Sequence, residues 1–300
     1  MKPTLVILAA GMASRYGSMK QTDGFGPNGE TIIDYSIYDA IKAGFGKIVF
    51  IIREEFAGNF KAIFEPKLKV KVQTDYVFQS YDLKPFGIEQ QIERAKPWGT
   101  AHAVLAARDA VKEPFCVINA DDFYGREAYR KMAGFLTTEV KDNLFSMVGY
   151  QIDKTLSEHG SVSRGVCTVD ANNNLEEIYE RTKVYFKDDG IAFEEDGKEF
   201  PLDRKARVSM NFWGFTPKVF ELSAEMFKEF AIANAQNPKS EFFIPIVAEK
   251  LIRENTASFK VIPTQSQWFG VTYKEDKPIV QASIDQLVKA GEYPENLWNS

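Results

Sequence analysis

Three hundred residues, 44% hydrophobic and 26% charged, describe a globular chain with a sizeable core, enough for one large domain or two modest ones. A formal net charge of −5 excludes a general nucleic-acid binder, so any anion site must be a local basic pocket. Two cysteines, Cys116 and Cys167, lie far apart without metal-ligand spacing, which fits strand positions in a cytoplasmic protein better than a disulfide framework.

In chain order, MKPTLVILAAG is at the short limit for a signal peptide and meets Arg15 almost at once, so it reads as a buried first strand. No stretch approaches the roughly 18 apolar residues of a membrane span. GFGPNGETIIDYSIYDAIKAG then offers a turn, a capping-box start at Thr31 and Asp34, and an amphipathic helix ending near Gly44. The rhythm repeats through the strand KIVFII, a helix over 54–64, the strand VKVQTDYVF, a helix beginning at Gly99, the strand FCVINA, a helix from Gly125 and the strand LFSMVGY. Strands alternating with helices predict an α/β fold, a Rossmann-like, mostly parallel sheet flanked by helices on both faces.

Beyond Tyr150, RGVCTVDANNNLEEIYERTKVYF reads as two strands around a turn at 172–174, and VSMNFWGFT as another, which predicts an antiparallel substrate-binding subregion at one sheet edge. Helices over 218–230 and 242–254, the strand SFKVIPT and a helix over 277–290 complete the chain. Without a linker or internal repeat, residues 1–300 read as a single unit, with an alternating half over 1–150, a strand-rich half over 151–272, and a C-terminal helix and tail over 273–300. The closing GEYPENLWNS carries Tyr293, Leu297 and Trp298, apolar enough to dock on the core or on a second subunit, which leaves a homo-oligomer open.

The stretch LAAGMASRYGSMKQ carries the chemistry. Several small residues in series let backbone N–H groups approach phosphate oxygens, with Arg15 and Lys20 at hand for the remaining charge. It is neither a P-loop nor a dinucleotide fingerprint, because only Gly11 and Gly17 are glycine within it. It resembles the opening loop of the sugar nucleotidyltransferases, the nucleoside-diphosphate-sugar pyrophosphorylases, with Ala13 where a glycine is frequent. That resemblance implies that Leu8, Ala10, Gly11, Met12, Ala13 and Ser14 hold a nucleoside triphosphate, and that Arg15 and Lys20 are the catalytic cations.

Further motifs follow in the family's order. KPWGTAHAVLAA resembles its glycine-led helix start, implying nucleotide contacts at Gly99 and Thr100 and a base-edge contact at Gln79, although SYDLKPFGIEQQIERA is inserted between them. Within that helix, His102 reads as a packing or surface histidine rather than a base. VINADDFYG is a buried strand that emits a carboxylate, and it resembles the family's Gly-Asp element, implying Asp121 as the Mg2+ ligand; Asp122 shares that role or caps the next helix, and the cap is the favoured reading. RGVCTVD, LEEIYERTK and MNFWGFTPKVFE resemble sugar-phosphate elements, implying roles for Gly165, Glu180, Arg181 and Asn211.

The resemblance breaks at SQWFGVTYKEDK, where the family's late metal-binding Asp falls on Gly270 or Val271, so that either Thr272, Glu275 or Asp276 substitutes or the chain uses fewer protein ligands on the metal. The resemblance implies transfer of a nucleotidyl group from UTP, dTTP or CTP to a sugar 1-phosphate, with no nucleic-acid or membrane partner. The alternatives are a glycosyltransferase that consumes nucleotide sugars, a catalytically silent nucleotide-sugar sensor, and a phosphocholine-type cytidylyltransferase.

Overall fold

Period-two alternation along the first strand sets the layering. Leu5 and Ile7 join one apolar cluster and Val6 the other, all fully buried, so the sheet is covered on both faces. The structure is a computed structural model and describes residues 1–11, 24–188, 190–271, 273 and 275–299. Strands β1 (Thr4–Leu8), β2 (Lys47–Ile52), β3 (Gln73–Phe78) and β4 (Phe115–Asn119) run parallel in the order β3-β2-β1-β4. Helices α1 (Ile32–Ala43), α2 (Ala57–Leu68) and α4 (Arg126–Thr138) bury their apolar sides in the first cluster. The short helix α3 (Thr100–Leu105), with α5 (Lys218–Ala233) and α6 (Ile244–Arg253), does so in the second.

The expected capping box is present: the Thr31 N–H donates to the Asp34 carboxylate at 2.8 Å, and Gly44 ends α1 at φ 99°. Two boundaries differ from the reading. Strand β3 starts at Gln73 rather than Val70, which is 92% exposed in a turn, and the helix expected over 54–64 is a 3-10 turn followed by α2, which runs on to Leu68.

The second half adds β6 (Leu144–Gln151), β7 (Val162–Val169), β8 (Leu175–Lys187), β11 (Arg207–Phe215) and β12 (Ser258–Pro263) to the same sheet. A hairpin absent from the sequence reading, β9 (Gly190–Glu195) with β10 (Lys198–Leu202), extends β8 outward. Strand β11 joins the two halves. One of its edges follows β6, while the other is divided, pairing with β7 over Arg207–Ser209 and with β4 over Trp213–Phe215. The ladder slips between Ser209 and Trp213, where Asn211 adopts φ 61°. Cys116 and Cys167 are free thiols in β4 and β7.

A third apolar cluster settles the tail on its own chain. Helix α7 (Asp276–Lys289) and the buried Tyr293 and Leu297 pack on Phe25, Ile32 and Tyr35. Asn28 Nδ2 donates to the Glu295 carbonyl at 2.6 Å, and Trp298 Nε1 to Asp34 Oδ1 at 3.1 Å. No helix among the described residues is long and apolar enough to cross a membrane.

Candidate active site

The connections from β1 leave toward β2 on one side, while β4 pairs on the other, so a crevice opens beyond the carboxyl ends of β1 and β4. This is where open α/β sheets bind ligands. A cleft of about 1030 Å³ lies there. The side read from the sequence as nucleotide-binding is lined by Leu8, Ala10, Gly11, Gln79, Gly99 and Thr100, and the side read as acceptor-binding by Asp121, Gly165, Glu180 and Asn211. Met12, Ala13, Ser14, Arg15 and Lys20 lie outside the described residues.

The inserted segment 80–95 leaves the nucleotide side intact. Leu83, Ile88 and Ile92 are buried in the second cluster, and the Arg94 guanidinium sits 3.7 Å from the Trp98 ring centroid, so the segment folds back and returns the chain to Gly99. Gln79 Nε2 then reaches the Gly99 carbonyl at 3.3 Å and His102 Nδ1 at 3.2 Å. Gly99 has φ 98°, and a Cβ there would lie 2.6 Å from the Phe242 carbonyl oxygen, so only glycine fits. Thr100 Oγ1 accepts the Ile244 N–H at 3.2 Å, tying α3 to the start of α6. His102 packs between Phe227 and Phe86, with ring centroids at 4.5 and 5.7 Å. Burial, then the charge of Arg94, pushes its pKa down to about 4.

On the acceptor side a second cavity of about 480 Å³ shares Asp121, Gly165, Glu180 and Asn211 and adds Asp122, Arg164 and Trp268. Asp122 does not cap the following helix; that position belongs to Gly125. Instead Asp122 lies in β5 (Asp122–Phe123), paired with β13 (Phe269–Gly270), and its Oδ2 accepts from Asn119 Nδ2 at 2.8 Å and Tyr124 Oη at 3.2 Å. Burial and the adjacent Asp121 charge raise its pKa. Gly270 stands directly opposite, where a Cβ would come within 2.9 Å of Asp122 Oδ1 and 3.0 Å of the Trp268 ring.

The substitutes considered for the late Asp separate from this place. Thr272 lies outside the described residues, Glu275 is exposed, and Asp276 is buried at the start of α7, accepting from Ser157 Oγ and the Tyr273 N–H at 2.7 Å each. Among the described residues no group of three or more His, Cys, Asp or Glu side chains forms a cage for a metal. Two neighbouring carboxylates, Asp121 and Asp122, lining the second cavity nevertheless suit Mg2+, which takes one or two carboxylates and completes its shell with phosphate oxygens and water.

Glu180 faces the cleft, in register with Gly165. Its neighbour Arg181 does not join it: the guanidinium bonds Glu195 at 2.6 Å and lies over Phe193, outside both cavities. Among the described residues, the cation that lines the second cavity is Arg164, one residue before Gly165 and overlooked in the sequence. It is 7% exposed, donates from Nε to Thr155 Oγ1 at 3.1 Å and from Nη1 to the Ser163 carbonyl at 2.7 Å, and lies over Trp268. Burial lowers its pKa to about 10, opposed by Asp122 and Glu180, so it stays charged at neutral pH. Asn211 lines both cavities, with its Nδ2 donating to Asn119 Oδ1 at 2.6 Å and its Oδ1 accepting from Trp213 Nε1 at 3.1 Å.

A family model described as nucleotidyl transferase matches residues 5–271. The chain belongs to the nucleotidyl transferase family. Three solved structures share the fold of this nucleotidyl transferase at low identity. The inositol-1-phosphate CTP transferase from T. maritima superposes with a TM-score of 0.61 at 13% identity, covering 95% of this chain and 97% of its own. A putative glucose-1-phosphate thymidylyltransferase from Bacillus anthracis, in complex with a sucrose, gives 0.62 at 14%, covering 94% of each. A UDP-glucose pyrophosphorylase complexed with UDP-glucose gives 0.60 at 13%, covering 95% and 99%. No curated protein sequence matches this nucleotidyl transferase.

Proposed function

We propose that this nucleotidyltransferase moves a nucleotidyl group from UTP, dTTP or CTP to a sugar 1-phosphate, giving a nucleotide sugar and pyrophosphate. The observation that carries the reading is one continuous cleft, with a glycine-led helix start and Gln79 on one side and Asp121, Glu180 and Asn211 on the other. Two polyanions held there react in line: an acceptor phosphate oxygen forms a bond to the α-phosphorus, the α–β phosphoanhydride bond breaks, and its electron pair leaves with pyrophosphate. No protein nucleophile takes part. The chain contributes alignment and charge.

Asp121 and Asp122 are the residues that would hold Mg2+. Bound there, it would supply positive charge to the phosphate oxygens. Arg164 offsets acceptor charge, Asn211 and Glu180 hold acceptor hydroxyls, and Arg15 and Lys20 are assigned to the β and γ phosphates. The structural neighbour named for inositol 1-phosphate makes polyol phosphates a natural extension of the acceptor class.

The test is pyrophosphate release with Mg2+ across nucleoside triphosphates and sugar or polyol phosphates, with Asp121→Ala as the control. Release confined to one pairing and lost in the variant supports the reading. Release of nucleoside diphosphate from a nucleotide sugar would make the chain a glycosyltransferase instead, and tight binding with no turnover in any pairing would make it a sensor.

A further inference from the structure

The amide nitrogen of Gln79 has two groups within hydrogen-bond distance. Its Nε2 lies 3.3 Å from the Gly99 carbonyl and 3.2 Å from His102 Nδ1. A carbonyl oxygen only accepts, so the NH2 end of Gln79, not its oxygen, faces Gly99. One amide hydrogen is thereby fixed, and the other has His102 Nδ1 in reach. We infer that His102 is a positioning residue for base selection: its bare Nδ1 accepts the second amide hydrogen and leaves Gln79 only its Oε1 to offer the cleft.

The surroundings of the ring favour this arrangement. His102 is 3% exposed between Phe227 and Phe86, which fixes the ring plane, and burial keeps it neutral, with a single N–H to place. With Nδ1 accepting, that hydrogen resides on Nε2. An amide free to turn reads a donor or an acceptor equally well, because its two ends are nearly the same shape. Locked, it reads only a donor. The base that docks against Gln79 must present an N–H there, and a base presenting a ring nitrogen or carbonyl leaves two acceptors opposed and unpaired, which is where hydrogen-bonded sites gain their selectivity. This inference rests on the reading of the cleft as a nucleotide site, and its test separates the two.

The sequence holds two histidines, His102 and His159, so 15N-histidine labelling gives two ring systems to assign. The expected spectrum of the intact protein shows His102 protonated at Nε2 and bare at Nδ1; a proton on Nδ1 would turn the Gln79 oxygen toward the ring and overturn the inference. Calorimetric binding of CTP, UTP and dTTP supplies the functional arm. His102→Phe fills the same apolar slot without an acceptor, and the preference between cytosine and uracil nucleotides is expected to fall by about tenfold, the worth of one hydrogen bond. His102→Asn places an oxygen near the Nδ1 position and is expected to retain the preference. An unchanged preference in a folded His102→Phe protein overturns the role of His102 while nucleotide binding stands. Failure of the intact protein to bind any triphosphate overturns the nucleotide reading instead, and the ring tautomer still decides whether the amide is locked.

Discussion

Asn211 Nδ2 donates to Asn119 Oδ1 across 2.6 Å, joining the bulge in β11 to the end of β4. Asn119 passes the contact on, donating to Asp122, so one chain of hydrogen bonds runs from Trp213 to the candidate metal carboxylates. Asn211→Gly keeps the φ of 61° and removes the amide; it is expected to fold normally and to lose about 10–100-fold in turnover. Asn119→Ala is expected to cost a similar factor, and the double variant little more than either alone. Additive losses in a double-mutant cycle of turnover would sink the idea of a shared chain.

Gly270 tests whether Asp122 has taken over from the missing late carboxylate. Restoring the family's residue with Gly270→Asp is expected to lower turnover by about 10–100-fold rather than raise it, because its Cβ would press on Asp122 Oδ1 and Trp268. Gly270→Ala should do the same with less added volume. A gain in activity from Gly270→Asp, measured as pyrophosphate release, would show that Asp122 does not fill that place.

The two neighbouring arginines should separate cleanly. Arg181→Ala is expected to leave kcat/KM for the acceptor within about twofold, since its partner is Glu195 at the end of β9 and exposed ion pairs are worth little. Arg164→Lys keeps a charge but cannot reproduce the bonds to Thr155 and Ser163, and it is expected to cost about 10². The reverse ranking would return the acceptor phosphate to Arg181.

Asp39 gives the pH prediction. It is 1% exposed and accepts from Tyr293 Oη at 2.6 Å, and burial raises its pKa from 3.8 to about 7 despite Tyr293 and Arg126. Between those values the folded chain holds a proton that the unfolded chain has released, so this group's contribution to stability declines as pH rises through that window. Urea unfolding at pH 4.5 and 7.5 should show Asp39→Asn lacking a decline on the order of 3 kcal/mol that the parent shows. Equal slopes for both proteins would refute the assignment.

The parallel half was legible because β1, β2 and β4 are buried on both faces and read as continuous apolar runs, with Thr31 and Gly44 marking the first helix. The β9–β10 hairpin was not, because its outer strand is mostly exposed and carries no alternation. Its one signal was Asp196-Gly197, whose φ values of 51° and 72° fit the tight turn that such a pair favours. At the site, residue types in sequence order brought Gln79, Gly99, Asp121, Gly165, Glu180 and Asn211 to one cleft. The choice between Arg164 and Arg181 was beyond the sequence. Strand β8 is polar on both faces, so nothing in its pattern says which side of Glu180 the cation takes. The contact of His102 with Gln79 was equally hidden, since it depends on how the inserted segment folds back.

The C-terminal tail has a bearing on how the chain folds. Phe25 accepts from Gln281, and Asn28 donates to Glu295, partners 256 and 267 positions further along. The segment before α1 is therefore anchored by residues near the far end of the chain, and the edge of β4 is closed by β11, which follows it by nearly a hundred residues. Contacts of such sequence separation form late in folding, so the sheet edge at β4 and the approach to α1 are expected to close together with the C-terminal segment.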